Sequence, residues 1–267
     1  MRSRVLIGTL ALAGLVLSGP ALPAQNPGLT VTIIYDNYPA DQACGTDWGF
    51  SCLVEGTGKT VLFDTGTRED VFLKNAAALK ADLGRVDLAV LSHFHGDHAG
   101  GFDAVLRKRP GLTFYVPDDK SGPAARLSEQ WQKAGAKLIP VSGPLRPGQG
   151  LVLPGTTGDA IREQLLVIDT SRGLVIIAGC AHPGIVGMIE KAKEATGRPV
   201  EAVIGGFHLL QTGEQDLARI VARFKELGVA RVGATHCTGD KAIALFREAY
   251  KDKFIELGAG RVLRFEL

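Results

Sequence analysis

Ser92-His93-Phe94-His95-Gly96-Asp97-His98 packs three imidazoles and a carboxylate into one short stretch. It follows directly on the apolar run Val86 to Leu91 and opens the helix-type segment Ala99 to Arg107, so it reads as a strand-to-helix turn. Imidazole nitrogen and carboxylate oxygen are natural ligands of borderline divalent metals such as zinc. Alternation along an extended chain points His93 and His95 the same way, while Asp97 and His98 turn toward a second ion close by. Gly96 permits the tight turn. A solvated histidine-rich loop is the bland alternative, and this density of ligands at a strand end argues against it.

The other histidines repeat the placement. His182 lies in Gly179-Cys180-Ala181-His182-Pro183-Gly184, His208 in Gly205-Gly206-Phe207-His208, and His236 in Thr235-His236-Cys237-Thr238-Gly239. Each follows an apolar run of strand type, so all six histidines of the chain fall at strand ends. In layered α/β folds one edge of the sheets is where sites are built. A lone histidine after a strand is more often a packing or capping residue. Six of six are hard to explain that way.

Outward from these motifs, short β-type runs alternate with helix-length amphipathic segments. Strands are predicted at Leu29 to Tyr35, Phe50 to Glu55, Thr60 to Phe63, Val86 to Leu91, Leu112 to Val116, Gln164 to Ile168, Leu174 to Ala178, Val200 to Ile204, Ala230 to Ala234 and Arg261 to Phe265. Helices are predicted at Arg68 to Leu83, Ala99 to Arg107, Gly122 to Ala134, Ile185 to Ala195, Glu214 to Leu227 and Lys241 to Tyr250. Such alternation means sheets covered by helices. The first third has few helices between its strands, which predicts mixed sheets. Gly143 to Gly150, with Pro144 and Pro147, reads as a link between two halves.

The 267 residues are 45% hydrophobic and 22% charged, with four cysteines, which excludes a disordered tail or a small disulfide scaffold. At the start of the chain, Arg2 and Arg4 precede an apolar run from Val5 to Ser18, then Gly19-Pro20 and Ala21 to Ala24. That is the layout of a secretory signal, too short to span a bilayer, with cleavage expected near Ala24. The domain expected to remain is residues 25–267, outside the cytoplasm, periplasmic or secreted, with no membrane association once the signal is cut. An uncleaved N-terminal anchor is the alternative. The formal net charge of +2 disappears with the two arginines of the leader. No nucleic acid partner is therefore expected, because no basic stripe is left to follow a phosphate backbone.

With His93-x-His95-x-Asp97-His98 after a strand, the upstream Leu62-Phe63-Asp64-Thr65-Gly66 and histidines at later strand ends, the chain resembles the metallo-β-lactamase-fold superfamily over nearly all of residues 25–267. The sets GCAHPG, GGFH and THCTG resemble, more narrowly, the branch named after the 7,8-dihydropterin-6-yl-methyl-4-(β-D-ribofuranosyl)aminobenzene 5'-phosphate synthases. The resemblance implies an α/β fold, a four-layer αββα sandwich of two mixed sheets flanked by helices, with one or two metal ions at one edge. Zinc is the expected cofactor, with iron or manganese as alternatives.

By the same resemblance His93 and His95 would hold the first metal, Asp97 and His98 the second, and His236 would be the last ligand of the second. The chain departs from the family between these points. No histidine occurs between His98 and His182, and Gly179-Cys180 stands where the family places Gly-Asp. His182 is the preferred replacement ligand; Cys180 could bridge as a thiolate, and Glu163 or Asp159 falls near the missing histidine's place. His208 is open as a ligand, a substrate-binding group or a proton donor. Asp64 is either a partner for the second ring nitrogen of a ligand imidazole or a turn residue.

The implied chemistry is hydrolysis of an ester-like or phosphoester-like small molecule by a metal-activated water, with Asp97 orienting the nucleophile and His208 protonating the leaving group. The alternatives are a transferase of the synthase type and a metal-binding or sensing protein without turnover. Specificity is expected from the loops Tyr38 to Trp48 and Pro117 to Pro123, and Trp48, Phe94 and Phe207 either line a wall of the site or pack. Cys44 and Cys52 either pair in an oxidising compartment or remain free buried thiols.

Overall fold

The computed structural model describes residues 28–267; the predicted export segment lies outside the described residues. Thirteen strands form two mixed sheets. In the first, β1 (Leu29–Tyr35), β2 (Ser51–Glu55), β3 (Val61–Phe63), β4 (Leu88–Val90), β5 (Thr113–Pro117) and β6 (Lys137–Val141) lie side by side, and β13 (Val262–Phe265) flanks β1. The second runs β12 (Arg231–Thr235), β11 (Val200–Gly206), β10 (Gly173–Ala178), β9 (Leu166–Thr170), β8 (Leu151–Leu153), β7 (Leu145–Gly148). Strands β3 to β6 are parallel neighbours, as are β10 to β12; the other pairings are antiparallel.

The strands at the centre are apolar on both faces because both faces are covered. On β10, Val175 and Ile177 enter the core between the sheets, while Leu174, Ile176 and Ala178 enter the layer under the helices α5 (Ile185–Thr196), α6 (Glu214–Glu226) and α7 (Asp240–Tyr250). Helix α6 buries Leu217, Val221 and Phe224, spaced along one face, and the burial of such a side chain stabilises by about 1.5–3 kcal/mol. Across the molecule α1 (Glu69–Ala78), α3 (Phe102–Lys108) and α4 (Gly122–Lys133) cover the outer face of the first sheet through Phe72, Phe102 and Trp131. The result is the four-layer αββα sandwich. No helix of the described residues is long and apolar enough to cross a membrane.

Several expected boundaries move. Strands β6, β7 and β8 are absent from the sequence reading. Pro140 and Pro147 sit in β6 and β7, which are edge strands, the one place in a sheet where a missing N–H is tolerated. Gly143 to Gly150 does join the two sheets, but β7 occupies half of it. Helix α1 stops at Ala78, since Lys80 turns into the left-handed region (φ 56°) and Asp82 then caps a separate 3-10 turn, Leu83–Arg85. The segment after the histidine turn divides at Gly100-Gly101 into α2 (Gly96–Ala99) and α3. Cys44 and Cys52 are free thiols; Cys52 points from β2 into the core between the sheets.

Candidate metal centre

Parallel strands end together, so their C-terminal ends crowd one edge of the sandwich. Asp64 follows β3, the His93 to His98 turn follows β4, Cys180 and His182 follow β10, His208 follows β11, and His236 and Cys237 follow β12. Two donor sets result. His93, His95 and His182 form one; Asp97, His98, Cys180 and His236 form the other; within each, the ligand atoms lie within 4.8 Å of one another. Cys180 Sγ is 3.2 Å from Nε2 of His98 and 3.3 Å from Nε2 of His236. Asp97 Oδ2 is 3.5 and 3.4 Å from the same two nitrogens.

The outer nitrogen of each of three rings is held by an acceptor, which leaves the inner one as the donor to the centre. His98 donates from Nδ1 to Asp64 Oδ2 at 2.7 Å, His182 from Nδ1 to Glu163 Oε2 at 2.9 Å, and His236 from Nδ1 to Asn37 Oδ1 at 2.9 Å. Asp64 faces away from the donor sets, accepting also from Ser92 N (2.7 Å) and Ser92 Oγ (2.6 Å). These contacts need Gly179: a Cβ there would lie 2.2 Å from Ser92 Oγ and 3.0 Å from Asp64 Oδ2. Nε2 of His93 is buried with no hydrogen-bond partner, its ring 4.6 Å from those of both His95 and His182. An orphaned buried nitrogen among imidazoles, beside an O/N/S/N set, fits a divalent metal as the missing partner.

Charge follows the same geometry. Burial works to raise the Asp97 carboxyl, but hydrogen bonds from His236 and His98 overcome it and hold it well below the carboxylate range. Burial opposes charge on His98, yet Asp64 raises it to about 10. His93, deeply buried with His98 beside it, is held well below the ordinary imidazole value.

Neither Glu163 nor Asp159 stands in a donor set. Glu163 is buried behind the centre, where it accepts from the backbone N–H of Cys180 (2.8 Å), Ala181 (2.7 Å) and His182 (3.0 Å) besides the His182 ring. Asp159 is exposed on a loop. His182 occupies the third position of the first set. His208 joins neither of these two sets: its ring rests on that of His182 (4.2 Å between centroids), and its ligand nitrogen groups with Cys180 and Cys237. Among the non-glycine residues in the left-handed backbone region, Asp64, Ala181, His208 and His236 all lie here, a concentration of strain typical of functional sites.

Of the aromatic candidates, Phe94 is a buried packing residue, Phe207 is buried but lines the hollow beside His182 and His208, and Trp48 is 45% exposed with its ring 4.9 Å from that of His236. A hollow of about 210 Å³ lined by His182, Pro183, Phe207 and His208 adjoins the centre. A cavity of about 890 Å³ opens at the other ends of β3 and β4 beside Lys59, Arg85, Asp87 and Arg109, and no histidine or cysteine lines it. Sequence reasoning missed Asn37 and its neighbour Asp36, whose carboxylate accepts from Thr235 Oγ1 at 2.7 and 2.8 Å. Both follow strand β1, so the strand-end pattern that flagged the histidines also marks them.

Comparison with known proteins agrees with this architecture. Residues 49–196 match the profile of the metallo-beta-lactamase superfamily. The 7,8-dihydropterin-6-methyl-4-(beta-D-ribofuranosyl)-aminobenzene-5'-phosphate synthase of Methanocaldococcus jannaschii is 30% identical over 81% of this chain and 90% of its own length. A solved metal-dependent hydrolase of the beta-lactamase superfamily is 29% identical, with a TM-score of 0.74 over 89% of this chain and 99% of that one. The metallo-beta-lactamase fold protein YhfI of Bacillus subtilis, 16% identical, superposes with a TM-score of 0.65 over 90% of this chain and 100% of its own, a likeness of fold alone. With the sandwich, the strand-end ligand turn and a profile match over more than half its length, the chain belongs to the metallo-beta-lactamase superfamily.

Proposed function

We propose that the protein is an exported, zinc-dependent hydrolase acting on an ester-like or phosphoester-like small molecule. The observation that carries this reading is the buried, partnerless Nε2 of His93 within a three-imidazole set, beside a second set of Asp97, His98, Cys180 and His236. Divalent ions held there would supply Lewis acidity and an activated water. Asp97, kept ionised between His98 and His236, orients the nucleophile. His208, on the solvent side of His182, donates the proton to the leaving group. The hollow beside His182 and His208 receives part of the substrate, and Trp48 offers an aromatic face beside His236. Export rests on the leader layout of residues 1–24.

A second reading is favoured by the 30% identity to a synthase: transfer to an organic acceptor in place of water. One experiment separates the two. The protein purified with its native metal is assayed on phosphomonoester, phosphodiester, lactone, carboxylic ester and β-lactam substrates, with and without aromatic acid acceptors. Turnover by water alone supports the hydrolase; product formation only with an acceptor supports the transferase; a metal-loaded protein inert to all of them supports a binding role and overturns both.

A further inference from the structure

Beside the two donor sets lies a third group that the proposed reaction uses only in part. Ligand atoms of Cys180, His208 and Cys237 lie within 4.8 Å of one another. The two thiols are buried, at 2% and 3% exposure, and form the floor; His208 is exposed and stands over them. Cys237 Sγ makes a long hydrogen bond of 3.7 Å to the carbonyl oxygen of Cys180.

Two thiols this close could pair as a disulfide or share an ion; both are free in this structure, and His208 offers a third donor within reach of each. Strands β10 and β12 do not touch; each pairs with β11 between them. Cys180 follows β10 and Cys237 follows β12, with Gly206 of β11 between them. A Cβ on Gly206 would lie 2.9 Å from Cys237 Sγ and 3.1 Å from Cδ2 of His236, so glycine keeps this space clear. Two thiolates and one imidazole with an open fourth position are a soft donor set, suited to thiophilic ions such as Cu(I), Cd(II) or Zn(II).

We propose that Cys180, His208 and Cys237 form a third metal-binding position, selective for thiophilic ions, that shares Cys180 with the Asp97, His98 and His236 set. On binding, each thiol that is still protonated loses its proton to solvent as the metal–sulfur bond forms. An ion there takes His208 out of proton transfer; that consequence rests on the hydrolase reading, whereas the binding itself does not.

The test is Cd(II) titration of the full-length, reduced protein, read by metal count after gel filtration and by ultraviolet thiolate-to-cadmium charge transfer. Cys237→Ala and His208→Asn are compared with the parent, asparagine being chosen because it tolerates the left-handed backbone at His208 (φ 52°). The parent is expected to bind one Cd(II) more per chain than either variant, and Cys237→Ala to lose about half of the charge-transfer absorbance as two thiolates become one. Should Cys237→Ala fail to fold, the exposed His208 decides by itself. Equal cadmium counts with unchanged absorbance in the folded variants would overturn the proposal. The double substitution of His93 and His95 by Ala, which removes the first donor set, is expected to leave the Cys237-dependent absorbance in place, so that failure of the catalytic reading and failure of this one remain distinguishable.

Discussion

Nδ1 of His98 donates to Oδ2 of Asp64 at 2.7 Å, with both side chains fully buried. The contact ties the end of β3 to the ligand turn after β4 and fixes which ring nitrogen faces Cys180 and Asp97. Partners of this kind typically contribute 10–100-fold in metal affinity. Asp64→Asn keeps the left-handed backbone (φ 54°) but weakens the acceptor, so a fall of about 10-fold or more in metal affinity is expected by chelator competition. Unchanged affinity would remove Asp64 from the centre's support.

Trp48 is an exposed aromatic beside the centre, next to His236. Trp48→Ala is expected to raise KM for substrates with an aromatic or apolar group several-fold while kcat changes little. Stability should move by no more than about 0.5 kcal/mol, because the side chain is half exposed. Steady-state kinetics on paired aromatic and aliphatic esters checks this; equal effects on both would show that the ring does not contact substrate.

Trp131 lies under the ligand turn. It stacks on Phe94, between His93 and His95, at 6.1 Å and packs on Phe102 (5.3 Å) and Phe114 (5.6 Å). Trp131→Ala should destabilise the fold by about 3–5 kcal/mol and loosen the turn with it. Denaturant unfolding measures the first effect and metal affinity at low denaturant the second.

Asp36 carries a pH signature. Burial raises its carboxyl to about 7 despite the hydrogen bond from Thr235, so between the unfolded value near 4 and about 7 the folded chain holds a proton that the unfolded chain has lost. Stability from this group is therefore present at low pH and falls as pH rises through that window, by about 4 kcal/mol at most. In chelator-treated protein, Asp36→Asn should flatten the decline seen by urea unfolding from pH 4 to 7. An equally steep decline in the variant would place its origin elsewhere.

What was legible in the sequence had a local cause. The ligand turn from His93 to His98 combines spacing, glycine and a preceding apolar run within one stretch, and the continuous apolar strands β10 and β11 stand out because both their faces are buried. Edge strands β6 and β7 lack that signal, being partly exposed and carrying proline. The partners of the ligands were harder to see because they are made by topology. Asn37 and His236 are 199 positions apart and meet only because the ends of β1 and β12, in different sheets, reach the same edge. Glu163 takes its place behind the centre for a similar reason: the loop before β9 passes beneath the turn after β10 and satisfies three backbone N–H groups there.

In the proposed reaction His93 and His95, with His182, hold a metal on which turnover depends. The most direct test is elemental analysis of purified protein carrying both His93→Ala and His95→Ala, alongside the parent and with folding confirmed by circular dichroism. This variant is expected to retain its secondary structure, lose the metal of the first set and show no measurable turnover. Full metal stoichiometry in the folded double variant would contradict this assignment.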